Sequence, residues 1–194
     1  LVCEGLAVGY EDGTYRPNNP TSRGQLAKIV SNAAGFGEPV TAQAFEDVPI
    51  GSSFHSFIER LFARGLVAGY PCGGDGEPCV PPGNRPYYRP GANVTRGQAA
   101  KIVAGTAAFP APPPDERRFE DVPPGHSFFP WIETLAWLDL VEGYPCGGPG
   151  EPCVPPLNLA YFRPGNNITR GQAAKIVANT FLAECVLSSG PARP

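Results

Sequence analysis

The chain has 194 residues, a formal net charge of −3, 42% hydrophobic and 17% charged residues. This mild charge has no basic stripe that would suit nucleic acid, and no apolar run nears the roughly 20 residues that cross a bilayer. The 24 Gly and 25 Pro approach the share at which chains become disordered. They fall, however, between blocks of helical periodicity, so the expected fold is all-α with long Gly/Pro-rich loops. The chain contains no methionine, and Leu1 is expected to follow a processing or truncation point.

In chain order, Gly9-Tyr10 and Arg16-Pro17 lead to Ser22-Arg23-Gly24-Gln25, then Lys28-Ile29-Val30. A hydroxyl three residues before an amide side chain, followed by apolar residues, predicts a capping box opening a helix. After a Gly/Pro-bearing linker over residues 37–44 comes Phe45-Glu46-Asp47-Val48-Pro49. The spacing of Ile58, Leu61, Phe62 and Leu66 then predicts a helix with one buried stripe. Gly69-Tyr70, Arg89-Pro90, the Thr95/Gln98 capping pair and Lys101-Ile102-Val103 follow. A second linker spans residues 110–118, and the same series returns at an offset of 74 residues. It runs through Phe119 to Pro123, a helix with Ile132, Leu135 and Ala136, Tyr144, Arg163-Pro164, Thr169/Gln172 and Lys175-Ile176-Val177. Trp131 and Trp137 lie on different faces of that helix. The chain therefore holds three copies of one helix–loop–helix unit, whose two short helices must pack on neighbouring copies to bury their apolar faces. Expected bounds are 1–36 for the first copy, which lacks its front half, 45–109 and 119–182 for the others, and 183–194 for a tail.

The six cysteines follow the same pattern. Cys72 and Cys79 bracket one loop insertion, Cys146 and Cys153 the equivalent one, and Cys3 and Cys185 lie near the ends. An even count with duplicated spacing predicts disulfides and an oxidising, extracellular compartment. Closing so short a loop is worth about 2.5 kcal/mol. His55 and His126 are not equivalent between copies, so no metal site is expected.

The elements GYEDGTYRPNNPTSRGQLAKIV in the first copy, and FEDVP, WIETL, GY and YFRPGNNITRGQAAKIV in the third, resemble the S-layer homology (SLH) signature. The resemblance covers the chain to about Leu182. It implies a pseudo-threefold arrangement of three repeats with clefts between them, in a bacterial cell-surface or cell-wall protein. Such modules attach non-covalently to cell-wall polysaccharide, often through a ketal-pyruvylated sugar. The chain departs from the family's usual Thr-Arg-Ala-Glu by carrying Thr-Arg-Gly-Gln, or Ser-Arg-Gly-Gln in the first copy, and by its two cysteine-bearing insertions.

Arg23, Arg96 and Arg170 are the leading glycan-binding candidates. A guanidinium in the first turn of a helix, beside free backbone amides, can hold a carboxylate or pyruvyl acid. The alternative for each is a structural bridge to Asp47 or Asp121 of a neighbouring copy. Those two aspartates are themselves candidates for sugar hydroxyls or for capping the turn before the first helix. Lys28, Lys101 and Lys175 are the only lysines and occupy equivalent helix positions. Tyr10, Tyr70 and Tyr144, with Tyr15, Tyr88 and Phe162, could stack on sugars or pack loops onto the core. Asn93-Val94-Thr95 and Asn167-Ile168-Thr169 match the N-glycosylation pattern but are better read as turn and N-cap residues. No catalytic constellation and no cofactor site is expected. The expected partners are thus a cell-wall polysaccharide or, for a subunit of a fibre, sheath or S-layer, copies of the chain itself.

Overall fold

The computed structural model describes residues 9–110 and 117–182; Cys3 and Cys185 lie outside the described residues. The described residues form five helices: α1 (Arg23–Ala33), α2 (His55–Ala63), α3 (Arg96–Ala107), α4 (Phe129–Trp137) and α5 (Arg170–Phe181). Among the described residues there are isolated β-bridges but no strand. Helices α1, α3 and α5 are the second helices of the three copies, and α2 and α4 the first helices of the second and third.

Helices α1, α3 and α5 start alike. Ser22, Thr95 and Thr169 each accept the amide of the third helical residue, and the glutamine there returns a bond to the cap's own N–H. Helices α2 and α4 have no side-chain cap. They follow Phe54 and Phe128, and α4 carries Pro130 in its first turn, where a missing N–H costs nothing.

Helix α2 packs on α1 and α4 on α3, while α1, α3 and α5 touch one another in all three pairings. Each first helix thus lies on the second helix of the preceding copy. Leu26, Val30, Ile58, Leu61, Val103, Ile132, Leu135 and Val177 fill the core between them. Phe62, expected in the buried stripe of α2, is 40% exposed, and Leu66 lies beyond the end of that helix. The Phe62 ring instead meets that of Phe45 edge-on at 5.0 Å, so it covers the core from outside. Trp137 is also partly exposed.

The copies are tied by a backbone cycle that closes on itself. The Thr21 amide donates to the Ile168 carbonyl (2.9 Å), Ile168 to Val94 (3.0 Å) and Val94 back to Thr21 (3.0 Å). The segment over residues 37–44, expected as a linker, is fastened to α2. Arg64 pairs with the Glu38 carboxylate, the Ala44 amide donates to buried Glu59 (2.8 Å), and the His55 ring bonds the Ala42 carbonyl. These contacts account for buried polar groups on α2 that would otherwise be costly.

Candidate functional site

The first turns of α1, α3 and α5 face neighbouring copies, and their arginines are nearly buried. Arg23, Arg96 and Arg170 are 7%, 9% and 6% exposed. The Arg23 Nε donates to the Tyr88 carbonyl (2.8 Å) and an Nη to that of Ala68 (3.1 Å). Arg96 makes the same fork to Phe162 (2.7 Å) and Glu142 (3.2 Å). Arg170 reaches Tyr15 (2.9 Å), which joins the third copy to the first. The planar guanidinium bridges two carbonyls of the next copy, a geometry an ammonium cannot reproduce.

Two expectations about these arginines need correction. The helix-start amides are not free: Arg23 and Gly24 donate to the Ala92 and Pro90 carbonyls, Arg96 and Gly97 to Asn166 and Pro164, and Arg170 and Gly171 to Asn19 and Pro17. Nor do the arginines bridge to the aspartates. Asp47 accepts the amides of Tyr88 (2.7 Å) and Arg89 (2.6 Å), and Asp121 those of Phe162 and Arg163 at the same distances. Each aspartate therefore clamps a loop 41 residues onward rather than capping the turn before its own helix. What it clamps is strained, since Arg89 and Arg163 each have φ of 59°, a left-handed backbone that costs a non-glycine residue about 1–2 kcal/mol.

The tyrosines of the Gly-Tyr pairs each carry two guanidinium groups over the ring. Tyr144 has Arg163 at 3.8 Å and Arg96 at 5.2 Å from its centroid; Tyr70 has Arg89 at 4.0 Å and Arg23 at 5.3 Å; Tyr10 has Arg16 at 4.2 Å and Arg170 at 4.9 Å. The inner arginines also lie over Tyr88, Phe162 and Tyr15. These rings thus serve as cation–π seats. Burial keeps the Tyr88 hydroxyl protonated, its pKa pushed up to about 12.

Both expected insertion disulfides are formed, Cys72–Cys79 and Cys146–Cys153. Each insertion also carries a glutamate that reaches the site. Glu77, inside the first insertion, holds Arg89 through two bonds of 2.7 Å, and Glu151 holds Arg163 through bonds of 2.7 and 2.8 Å. The arginine hydrogen bond holds each glutamate below its ordinary carboxyl range. In the first copy, with no insertion, Asp12 pairs with Arg16 at 2.7 Å. The recurring Gly-Glu-Pro-Cys in both insertions was the sequence signal for this clamp.

A cleft of about 210 Å³ opens beside Arg96. Leu140, Val141, Ile168 and Ile176 give it an apolar floor, and Tyr144, Glu142, Gln172 and Lys175 line its polar side. The Gln172 amide donates to the Tyr144 hydroxyl (3.0 Å), and Lys175 lies 3.5 Å from Glu142. Arg96 itself has no carboxylate at ion-pair distance, and its Nη1 has no hydrogen-bond partner among the described residues. Burial, together with neighbouring Arg163, holds its pKa below the ordinary arginine range. Lys28 is half-buried, 5.7 Å from the Phe57 ring centroid, while Lys101 and Lys175 are exposed. Among the described residues no cluster of three metal-ligating side chains occurs, and no helix is long and apolar enough to cross a membrane.

Helical copies cross-linked by buried arginines, with a cleft at one junction, describe a helical repeat module. Residues 1–27, 44–100 and 118–174 match the S-layer homology domain, and the chain belongs to that family. It is also similar to Cell surface glycoprotein 1 of Acetivibrio thermocellus, 25% identical over 94% of this chain and 7% of that protein. The chain thus spans a small fraction of the length of this relative. Family and relative together assign an extracellular, cell-surface, S-layer-associated location and point to a structural protein. The two disulfides agree with that compartment.

Proposed function

We propose that this chain attaches non-covalently to an anionic cell-wall polysaccharide through clefts between its repeats. The observation that carries the reading is the Arg96 guanidinium, nine-tenths buried and hydrogen-bonded only to neutral carbonyls, at the edge of an apolar-floored cleft. A buried cation without a counter-charge is destabilised, and a carboxylate such as a pyruvyl ketal would relieve that. Arg23 and Arg170 would serve the equivalent junctions, Lys28, Lys101 and Lys175 the outer rims, and Asp47 and Asp121 would hold the loops in register. The repeats, bounded at 1–36, 45–109 and 119–182 and joined by Gly/Pro-rich loops, would sit about a pseudo-threefold axis. The closed hydrogen-bond cycle through Thr21, Ile168 and Val94 supports that arrangement.

Co-sedimentation of the chain with purified cell-wall polysaccharide, before and after mild acid removal of pyruvate, tests the reading. Binding lost with the pyruvate is the expected result, and equal retention of the chain on both preparations would refute a pyruvyl ligand.

A second reading, self-assembly into an extracellular layer, rests on α5. Among the described residues, rings of Phe54 and Phe128 press on Gly24 of α1 and Gly97 of α3, but Gly171 of α5 meets only Pro17. Ala174 and Ala178 are correspondingly more exposed than Ala100 and Ala104. A helix from another molecule seated there would link copies head to tail. Sedimentation velocity without glycan distinguishes the two: a monomer favours attachment, and concentration-dependent polymers favour assembly.

A further inference from the structure

The three junctions are covered unequally. Helix α2 lies on α1 and α4 on α3, and Ala27, Ser31, Ala100 and Ala104 beneath them are no more than 1% exposed. The equivalent residues of α5, Ala174 and Ala178, are only half-buried. Register with the other copies shows which segment of the chain belongs at the end of that face. Counted back from the Gly-Tyr pair, residues 1–8 align with 61–68 and 135–142, and the family match begins at residue 1. Leu1 then takes the place of Leu61 and Leu135, both fully buried. Cys3 takes that of Ala63 and Trp137, the exposed last residues of α2 and α4. Counted on from the Arg-Gly-Gln triplet, Cys185 aligns with Glu38. At the first junction Glu38 is fastened to the end of α2: its carboxylate pairs with Arg64, and its carbonyl accepts the Arg60 Nε at 2.9 Å. The two cysteines therefore align with segments that touch where the second copy meets the first.

We propose that Cys3 and Cys185 form a disulfide within one chain, which seats residues 1–8 at the end of α5 and closes the junction between the third copy and the first. The reach of the chain permits it. Gly9 and Leu182 are the described residues nearest the two cysteines; six residues extend to about 20 Å and three to about 10 Å, against about 18 Å for the length of α5. Tyr10 is already held at the first turn of α5, its ring centroid 4.9 Å from the Arg170 guanidinium. Cysteines tethered in this way meet at an effective concentration of about millimolar, above that of a second copy in dilute solution. Bond formation takes a proton from each thiol and passes two electrons to a disulfide-bearing oxidant, which leaves as the dithiol. The inference is independent of polysaccharide attachment, and it opposes the layer reading, in which another molecule takes the face of α5.

The test is non-reducing peptide mass mapping of the whole chain, with unlabelled and heavy-nitrogen chains mixed before oxidative refolding. The Cys72–Cys79 and Cys146–Cys153 bonds in the same map establish that oxidation is complete. The expected product is a Cys3 peptide bonded to a Cys185 peptide of the same isotope. Free thiols at both positions would overturn the proposal. Linked peptides of mixed isotope would also overturn it, in favour of the layer reading. A second measurement asks whether the bond closes the junction. Cys3→Ser, Cys185→Ser and the double variant should lower the melting temperature by the same amount, about 10 °C, because each removes the one bond around a long loop. Unchanged melting, or losses that add in the double variant, would overturn that role.

Discussion

The arginine and glycine of the Arg-Gly-Gln triplet act as a pair. Arginine forks onto the carbonyls of the next copy, and glycine lets a phenyl ring lie on the helix. An added Cβ on Gly97 would come within 2.4 Å of the Phe128 ring, and on Gly24 within 2.6 Å of Phe54, whereas on Gly171 it would meet Pro17 at 3.2 Å. Gly97→Ala and Gly24→Ala should therefore lower stability by about 1–3 kcal/mol through overpacking. In Gly171→Ala the milder contact is offset by a helix-propensity gain of about 1 kcal/mol, and urea melts of the three variants should separate the two classes. Glu133 has the opposite character from the clamping glutamates. It is buried, accepts the Arg118 amide (3.0 Å), and leaves one oxygen unpartnered. Burial raises its carboxyl above the ordinary 4.5. The folded state then holds more proton than the unfolded chain, so this group's contribution is full below 4.5 and is lost as pH rises through the raised value. Glu133→Gln should consequently gain stability relative to wild type as pH is taken from 4 to 7, which melting temperatures across that range would reveal.

Each second helix is an element with a fixed start. The capping boxes at Ser22, Thr95 and Thr169 satisfy both the cap and third-residue amides, and Thr95→Ala should cost about 1 kcal/mol, measurable by chemical denaturation. The disulfide loops are elements of a different kind, since their interior has little apolar surface to fold around. Cys72–Cys79 closes a loop with a sequence separation of 7, and the Glu77–Arg89 pair then fastens it over Tyr70. Replacing both cysteines by serine should cost about 2.5 kcal/mol by chain entropy. It should also loosen the grip of Glu77 on the Arg89 side chain, visible as increased amide exchange around Glu77.

On the scale of the whole molecule, contacts pass from the first copy to the second, from the second to the third, and from the third back to the first. Arg23, Arg96 and Arg170 repeat that circuit with side chains. A circuit of this kind makes each junction depend on the others, so the described unit should unfold in one cooperative transition. Arg96→Lys keeps the charge but loses the fork onto Phe162 and Glu142, and should destabilise by about 2–3 kcal/mol. Calorimetry would detect a single transition shifted downward; two separated transitions would mean that the copies are independent.

Much of this was open to inspection in the linear chain, because periodicity, capping pairs and duplicated cysteine spacing are local patterns whose chemistry does not depend on what packs against them. The helices, their starts at Ser22, Thr95 and Thr169, the two insertion disulfides and the repeat itself belong to that class. Asp47 and Asp121 do not, since their partners lie 41 and 42 residues away and no local signal says where the carboxylate will reach. The same holds for the helix-start amides, free in an isolated helix and taken by Ala92, Asn166 and Asn19 in the fold. Sequence alone determined which residues recur and which helices form. Tertiary structure decided that the recurring arginines bridge copies through neutral carbonyls, and that Glu142 stands beside Lys175, because charge balance in a cleft depends on which segments meet there.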